Sequence, residues 1–136
     1  MRRIIAVVSI LIVAGLVATV AGASSAHKSA SLSVAGTWKG TVNGGAAPSE
    51  RLTVKVNSAQ TKGTWSVSAS CHGTLVLKNI SEGFHHFNRI EATGATCSGE
   101  SGSGVDCLKR EGSRLLDEYQ PTGNPSWITG TLARTA

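Results

Sequence analysis

From Gly36 onward, hydrophobic and polar residues alternate in short runs broken by turn formers. Gly36 to Val42 sets Trp38, Gly40 and Val42 against Thr37, Lys39 and Thr41, and Arg51 to Asn57 sets Leu52, Val54 and Val56 against Arg51, Thr53 and Lys55. Successive side chains of a strand point to opposite faces, so each run predicts a half-buried strand. Lys62 to Ala69 gathers Trp65, Val67 and Ala69 on one face, and Gly73 to Lys78 gathers Leu75 and Leu77 with Val76 opposite. Phe84 to Glu91, Val105 to Arg110, Ser113 to Gln120 and Trp127 to Ala133 bring the expected strands to eight. The separators, among them Ala59-Gln60, Ser81-Glu82-Gly83, Glu111-Gly112 and Pro121-Thr122-Gly123-Asn124-Pro125, are short enough to join antiparallel neighbours.

Eight short strands in meander order, with no helix to cover a face, leave edges that must be hidden. Closing the sheet on itself hides them. The sequence therefore predicts an all-β domain, a small antiparallel eight-stranded up-and-down barrel, with an open β-sandwich as the alternative. Closure would pair Trp127 to Ala133 with the strand that holds Trp38, and Gly40 and Gly130 would permit the close approach.

The residues before Gly36 follow another pattern. Met1-Arg2-Arg3 is positive, Ile4 to Val20 is almost unbroken apolar, and Ala21-Gly22-Ala23 offers small residues for a signal peptidase, with Ser24-Ser25-Ala26 as a second option. Residues 1–23 are expected to be a signal peptide, with cleavage after 26 as the variant, residues 24–34 a flexible leader, and residues 35–136 one domain. The expected location is secreted, the alternative being anchorage by an uncleaved N-terminal helix. No cysteine precedes Cys71, which excludes a lipoprotein signal. A chain of 136 residues holds one small domain and no two-domain enzyme or Rossmann-sized cofactor fold. The net charge of +5, which falls to +3 without Arg2 and Arg3, is spread without basic runs and excludes a nucleic-acid footprint.

Export changes the reading of the cysteines, because disulfides persist outside the cytoplasm. Cys71, Cys97 and Cys107 allow one bridge and one leftover thiol. Loop-closure entropy, about 3.5 kcal/mol for Cys71–Cys97, favours that pair over the shorter Cys97–Cys107 loop.

Candidate chemistry is sparse. His85 and His86 are consecutive on a strand, point apart and cannot share one ion, and His72 lies about 15 Å from His86 along the sheet. They read as solvated or rim histidines, and no metal or cofactor is expected. Gly99-Glu100-Ser101-Gly102 imitates a serine-nucleophile loop but lacks the two barrels and distant His and Asp that such proteases need, so it reads as a flexible loop. Asp117 and Glu118 splay to opposite sides. Asp106 could face Asp117 if the register allowed, but the acids read first as surface charges. Alternation groups Phe84, His86, Asn88 and Ile90 on one face, opposite Phe87 and Arg89. The first face mixes apolar wall with a few polar groups, as ligand pockets do, and is taken as inward. Trp38, Trp65 and Trp127 are expected in the core, or as a stacking wall for a ligand. The candidate ligand-binding residues are thus Trp38, Trp65, His86, Asn88 and Trp127, with no catalytic residue.

Gly36-Thr37-Trp38-Lys39-Gly40-Thr41, Cys71-His72-Gly73-Thr74-Leu75-Val76-Leu77, Cys97, Gly112-Ser113-Arg114-Leu115 and Trp127-Ile128-Thr129-Gly130-Thr131-Leu132-Ala133-Arg134 occur in that order from Gly36 to Arg134. Together they resemble a family of small exported actinobacterial proteins whose module also forms the extracellular part of some serine/threonine kinases. The resemblance implies a small calycin-like β-barrel with one bridge, Cys71–Cys97, and carries no established biochemical role. Cys107 departs from its pattern. A looser likeness is to lipocalins and avidins, whose barrels also begin with Gly-x-Trp. Lys39-Gly40-Thr41-Val42 lacks the polar residues with which avidins hold biotin, so biotin binding is not implied.

The expectation is an exported, non-catalytic binding or sensing module, monomeric, whose partner is a small molecule or an extracellular protein. Neither a nucleic acid nor, once the leader is removed, a membrane is an expected partner. An envelope-associated structural or protease-inhibitor-like interaction protein is the alternative, and a hydrolase stands third.

Overall fold

The eight runs of alternation become eight strands: β1 Gly36–Gly44, β2 Ala47–Val56, β3 Lys62–Val67, β4 Cys71–Ser81, β5 Phe84–Thr93, β6 Gly104–Glu111, β7 Arg114–Pro121 and β8 Ile128–Arg134. In the computed structural model each pairs antiparallel with the next, and β8 returns to β1 to close a barrel. The description covers residues 32–44, 47–67, 71–94, 97 and 103–136. The expected signal peptide, the leader up to residue 31 and the serine-loop imitation at 99–102 lie outside the described residues.

The closing seam aligns Trp38 with Arg134, Gly40 with Leu132 and Val42 with Gly130. Glycine is required on both sides of it. A Cβ at Gly40 would stand 2.6 Å from the Thr131 carbonyl oxygen, and one at Gly130 would stand 2.5 Å from that of Thr41. The β4–β5 hairpin turns on Glu82 and Gly83, at φ 52° and 83°. Two consecutive left-handed residues give the turn whose twist matches the flanking strands.

Trp38, Leu52, Val54, Trp65, Leu75, Phe87, Leu108, Leu115 and Leu132 point inward and are buried. Each fully buried side chain of this kind contributes roughly 1.5–3 kcal/mol. One end of the barrel is sealed from outside the strands. Val34, placed by its sequence at the end of a flexible leader, is fully buried in this core. Its N–H donates to Gln60 Oε1 at 2.8 Å, and its carbonyl accepts the Trp38 indole N–H at 2.8 Å. The segment has no strand period because it plugs the barrel end instead of joining the sheet. The guanidinium groups of Arg110 and Arg134 lie 6.0 and 5.6 Å from the Trp38 ring and donate to the carbonyls of Ser33 and Ala35.

Candidate binding site at the loop end of the barrel

The opposite end is the mouth at which β1 is joined to β2, β3 to β4, β5 to β6 and β7 to β8. The Cys71–Cys97 disulfide ties the β3–β4 corner to the β5–β6 connection there, and Cys107 is a free, buried thiol. Beneath this mouth the interior is polar. Alternation along β5 turns Phe87 and Arg89 inward, along β6 Asp106 and Leu108, and along β7 Leu115, Asp117 and Tyr119.

Burying an arginine costs heavily unless its charge and its fork of donors are met. Here Asp106 meets them: Arg89 Nε and Nη2 donate to its two carboxylate oxygens at 2.7 Å each. The guanidinium is also stacked between two aromatic faces, 3.6 Å from the Tyr119 ring centroid and 4.1 Å from that of Trp65. Tyr119 is itself fixed by its hydroxyl, which donates to the Ser103 carbonyl at 2.8 Å.

Asp117 differs. It is fully buried, and no N–H or hydroxyl of another described residue donates to either carboxyl oxygen; its hydrogen-bonding neighbour is the Asp106 carboxylate. Burial first, and then the negative Asp106 beside it, hold its carboxyl well above the ordinary carboxylate range against the pull of Arg89. Its neighbour in register on β8 is Gly130, which places no side chain over it. The space in front is a cavity of about 20 Å³ walled by Val42, Val67, Arg89, Tyr119 and Ile128, with Glu50 facing in from the rim. A water-sized group needs about 10–15 Å³ by the same measure, so one such group fits.

This geometry revises the sequence expectations at three places and agrees with the expected core positions of Trp38 and Trp65. His86, Asn88 and Ile90 lie on the outer wall, the reverse of the expected facing, because the core takes Phe87 together with an Arg89 neutralised by Asp106. Asp106 and Asp117 are buried neighbours and not surface charges. Trp127 precedes β8, lies outside the core and is 44% exposed, because the strand begins one residue later at Ile128. Trp38 and Trp65 are core residues, at the sealed end and under Arg89 respectively, so the five candidate residues do not converge on one site.

The outer wall holds one further cluster. His86 lies between Ser81 Oγ at 2.8 Å and Cys107 Sγ at 3.1 Å. Burial first, and then the neighbouring acidic groups of Asp106, Glu118 and Asp117, push the Cys107 thiol up to about 11, so the group stays protonated and unreactive at neutral pH. His85 points inward, parallel to the Phe87 ring, and burial together with His86 lowers its pKa. No group of three or more His, Cys, Asp or Glu among the described residues is placed to hold a metal ion. A groove of about 600 Å³ crosses the outer wall by Thr37, Lys55, Thr64 and Thr74, with no buried polar group aimed into it.

The sequence reading gave no site role to Arg89 or Glu50 and weighed Asp117 only second, as an acid that could face Asp106. The available signal was the shared face of Phe87 and Arg89, with two acids on the strands that follow. Compared with family models, curated proteins and solved structures, the chain finds no match.

Proposed function

We propose that the protein is an exported, non-catalytic binding module that takes the head group of a small ligand into the loop end of its barrel. The observation that carries this reading is Asp117, a buried carboxyl to which no described residue donates a hydrogen bond, facing a cavity beneath the mouth. Buried polar groups in native proteins are nearly always satisfied, and an exception that faces open space is what a ligand's polar group would complete. Drug-sized pockets run to roughly 300–1,000 Å³, so the interior accommodates a head group and the rest of the ligand lies outside this cavity. Export is supported by the signal-peptide pattern, and a disulfide-bonded barrel agrees with it. The resemblance to small exported proteins and kinase-linked modules points the same way. An interaction protein is the second reading, favoured by the exposed Trp127 at the same end.

Backbone amide NMR shifts during a screen against metabolites, lipids and cell-wall fragments test the proposal. Binding should perturb Val42, Val67, Tyr119 and Ile128 together. Hits confined to the outer-wall groove, or none at all, would overturn it.

A further inference from the structure

We infer that the ligand of this site carries a primary ammonium group, seated against Asp117 with its carbon stem leaving past Glu50; the inference rests on the binding-module reading and names its ligand class. The upper interior brings three carboxyl groups, Glu50, Asp106 and Asp117, around one guanidinium. Arg89 is already forked onto Asp106. An entering carboxylate or phosphate would meet the remaining acids and be repelled. An ammonium group would meet the Asp117 and Glu50 carboxyl groups and supply three donors where no described residue donates to Asp117. Its size matches the one-group cavity, and Val42, Val67 and Ile128 offer an apolar wall for methylene groups.

The charged and titratable groups facing Asp117 are Arg89 from β5, Asp106 from β6, Glu50 from β2 and Tyr119 from its own strand, while β8 presents Gly130. Cys107 and Glu118 stand on the outer wall of the same two strands. Without ligand, burial and the neighbouring Asp106 outweigh Arg89, already forked onto Asp106, and hold the Asp117 proton to a higher pH than an ordinary carboxyl keeps it. Binding must therefore exchange one positive charge for another. The ammonium ion enters with all its protons, the Asp117 carboxyl becomes a carboxylate, and one proton leaves to solvent. Affinity then rises with pH, by up to about tenfold per unit, as long as the free protein holds that proton.

The experiment is titration calorimetry of the folded protein with butylamine, hexylamine, ammonium chloride, butyrate and butanol, in two buffers of different ionisation enthalpy between pH 5 and 8. Butylamine and hexylamine should bind with release of one proton. Asp117→Asn, near-isosteric and neutral, should weaken them by about tenfold or more, as loss of a charged hydrogen bond does. Glu50→Gln at the rim should weaken them less, and Lys55→Gln in the outer groove should leave them unchanged. Binding without proton release, or binding indifferent to Asp117→Asn, would overturn the assignment. Butyrate or butanol binding as well as butylamine would overturn the ammonium class while leaving the binding-module reading in place. Ammonium chloride binding with the amines excluded would make the site one for an inorganic cation and overturn it too. Silence from all five probes would end the inference, and the wider screen would then decide the reading beneath it.

Discussion

Replacing Arg89 by methionine isolates the polar interior, because Met refills much of the volume while removing the charge. Asp106, fully buried, would lose both 2.7 Å donors and stand beside Asp117 with no cation against it. Breaking a buried ion pair from one side costs about 3–5 kcal/mol. The lost stacking on Tyr119 and Trp65 adds about 1–2 kcal/mol, and protonation of Asp106 offsets part of the total. A net loss of about 3–5 kcal/mol is a large share of the roughly 5–15 kcal/mol that holds a domain together. At about 4–8 °C per kcal/mol for a domain of this size, it should lower Tm by about 15–30 °C. Urea unfolding at pH 7 without reductant, followed by tryptophan fluorescence, gives the free energy directly. The double variant Arg89→Met with Asp106→Leu should recover most of the loss, since a buried pair replaced whole by apolar residues is often neutral. A loss below about 1 kcal/mol in the single variant, or no recovery in the double, would refute the buried-pair account.

Asp117→Asn should leave stability unchanged near pH 4 and raise it at neutral pH, since a carboxyl held above its unfolded pKa makes the native state lose about 1.4 kcal/mol per pH unit until it ionises; a pH-independent difference would contradict this. His85 acts in the opposite sense, its lowered pKa costing stability as pH falls below about 6.5, so His85→Phe should flatten the acid side of the profile measured by urea melts. Cys71→Ala with Cys97→Ala should cost about 3–4 kcal/mol, and non-reducing peptide mapping should recover that bridge with Cys107 free. Deleting residues 127–136 removes β8, opens two strand edges and should leave the chain aggregated or unfolded by size-exclusion chromatography and circular dichroism. Trp38→Ala should cost about 3–5 kcal/mol and Trp127→Ala under about 1 kcal/mol, because one ring is buried and the other is rim.

The fold was legible because its signal is local. Period-two alternation, turn residues at the breaks and glycines at positions 40 and 130 each follow from neighbours in sequence, and the closure they imply agrees with the Trp38–Arg134 seam. The site was not, because its signal is a long-range exchange of charge. Arginine is rarely buried, so a face holding Arg89 reads as solvent-facing. It turns inward only because Asp106, on the next strand, and two aromatic rings from β3 and β7 complete its environment. His86 and Asn88 were misplaced by the same step, since one inverted strand face inverts every residue on it. Trp127 was misplaced by a single residue at a strand boundary, the least sharp feature of any propensity reading. Val34 escaped notice because a plug needs no periodicity.

The two ends of the barrel are built to different rules. At the sealed end Val34, Gln60, Arg110 and Arg134 give the Trp38 indole and the segment before it their hydrogen bonds and ring contacts. Three buried side chains, Trp65 and Asp117 toward the loop end and His85 beside the β4–β5 hairpin at the sealed end, carry polar atoms that no ordinary donor or acceptor among the described residues meets, but not equivalently. The Trp65 indole nitrogen is packed so tightly that a Cβ on Gly73 would come within 2.8 Å of it, and His85 Nδ1 lies on a ring stacked against Phe87. Neither ring atom lines the cavity that Asp117 faces. An asparagine or leucine at 117 would close the barrel at lower cost, so the aspartate works against stability wherever the chain is alone. Such a cost is the mark of a site whose completing group comes from outside the chain.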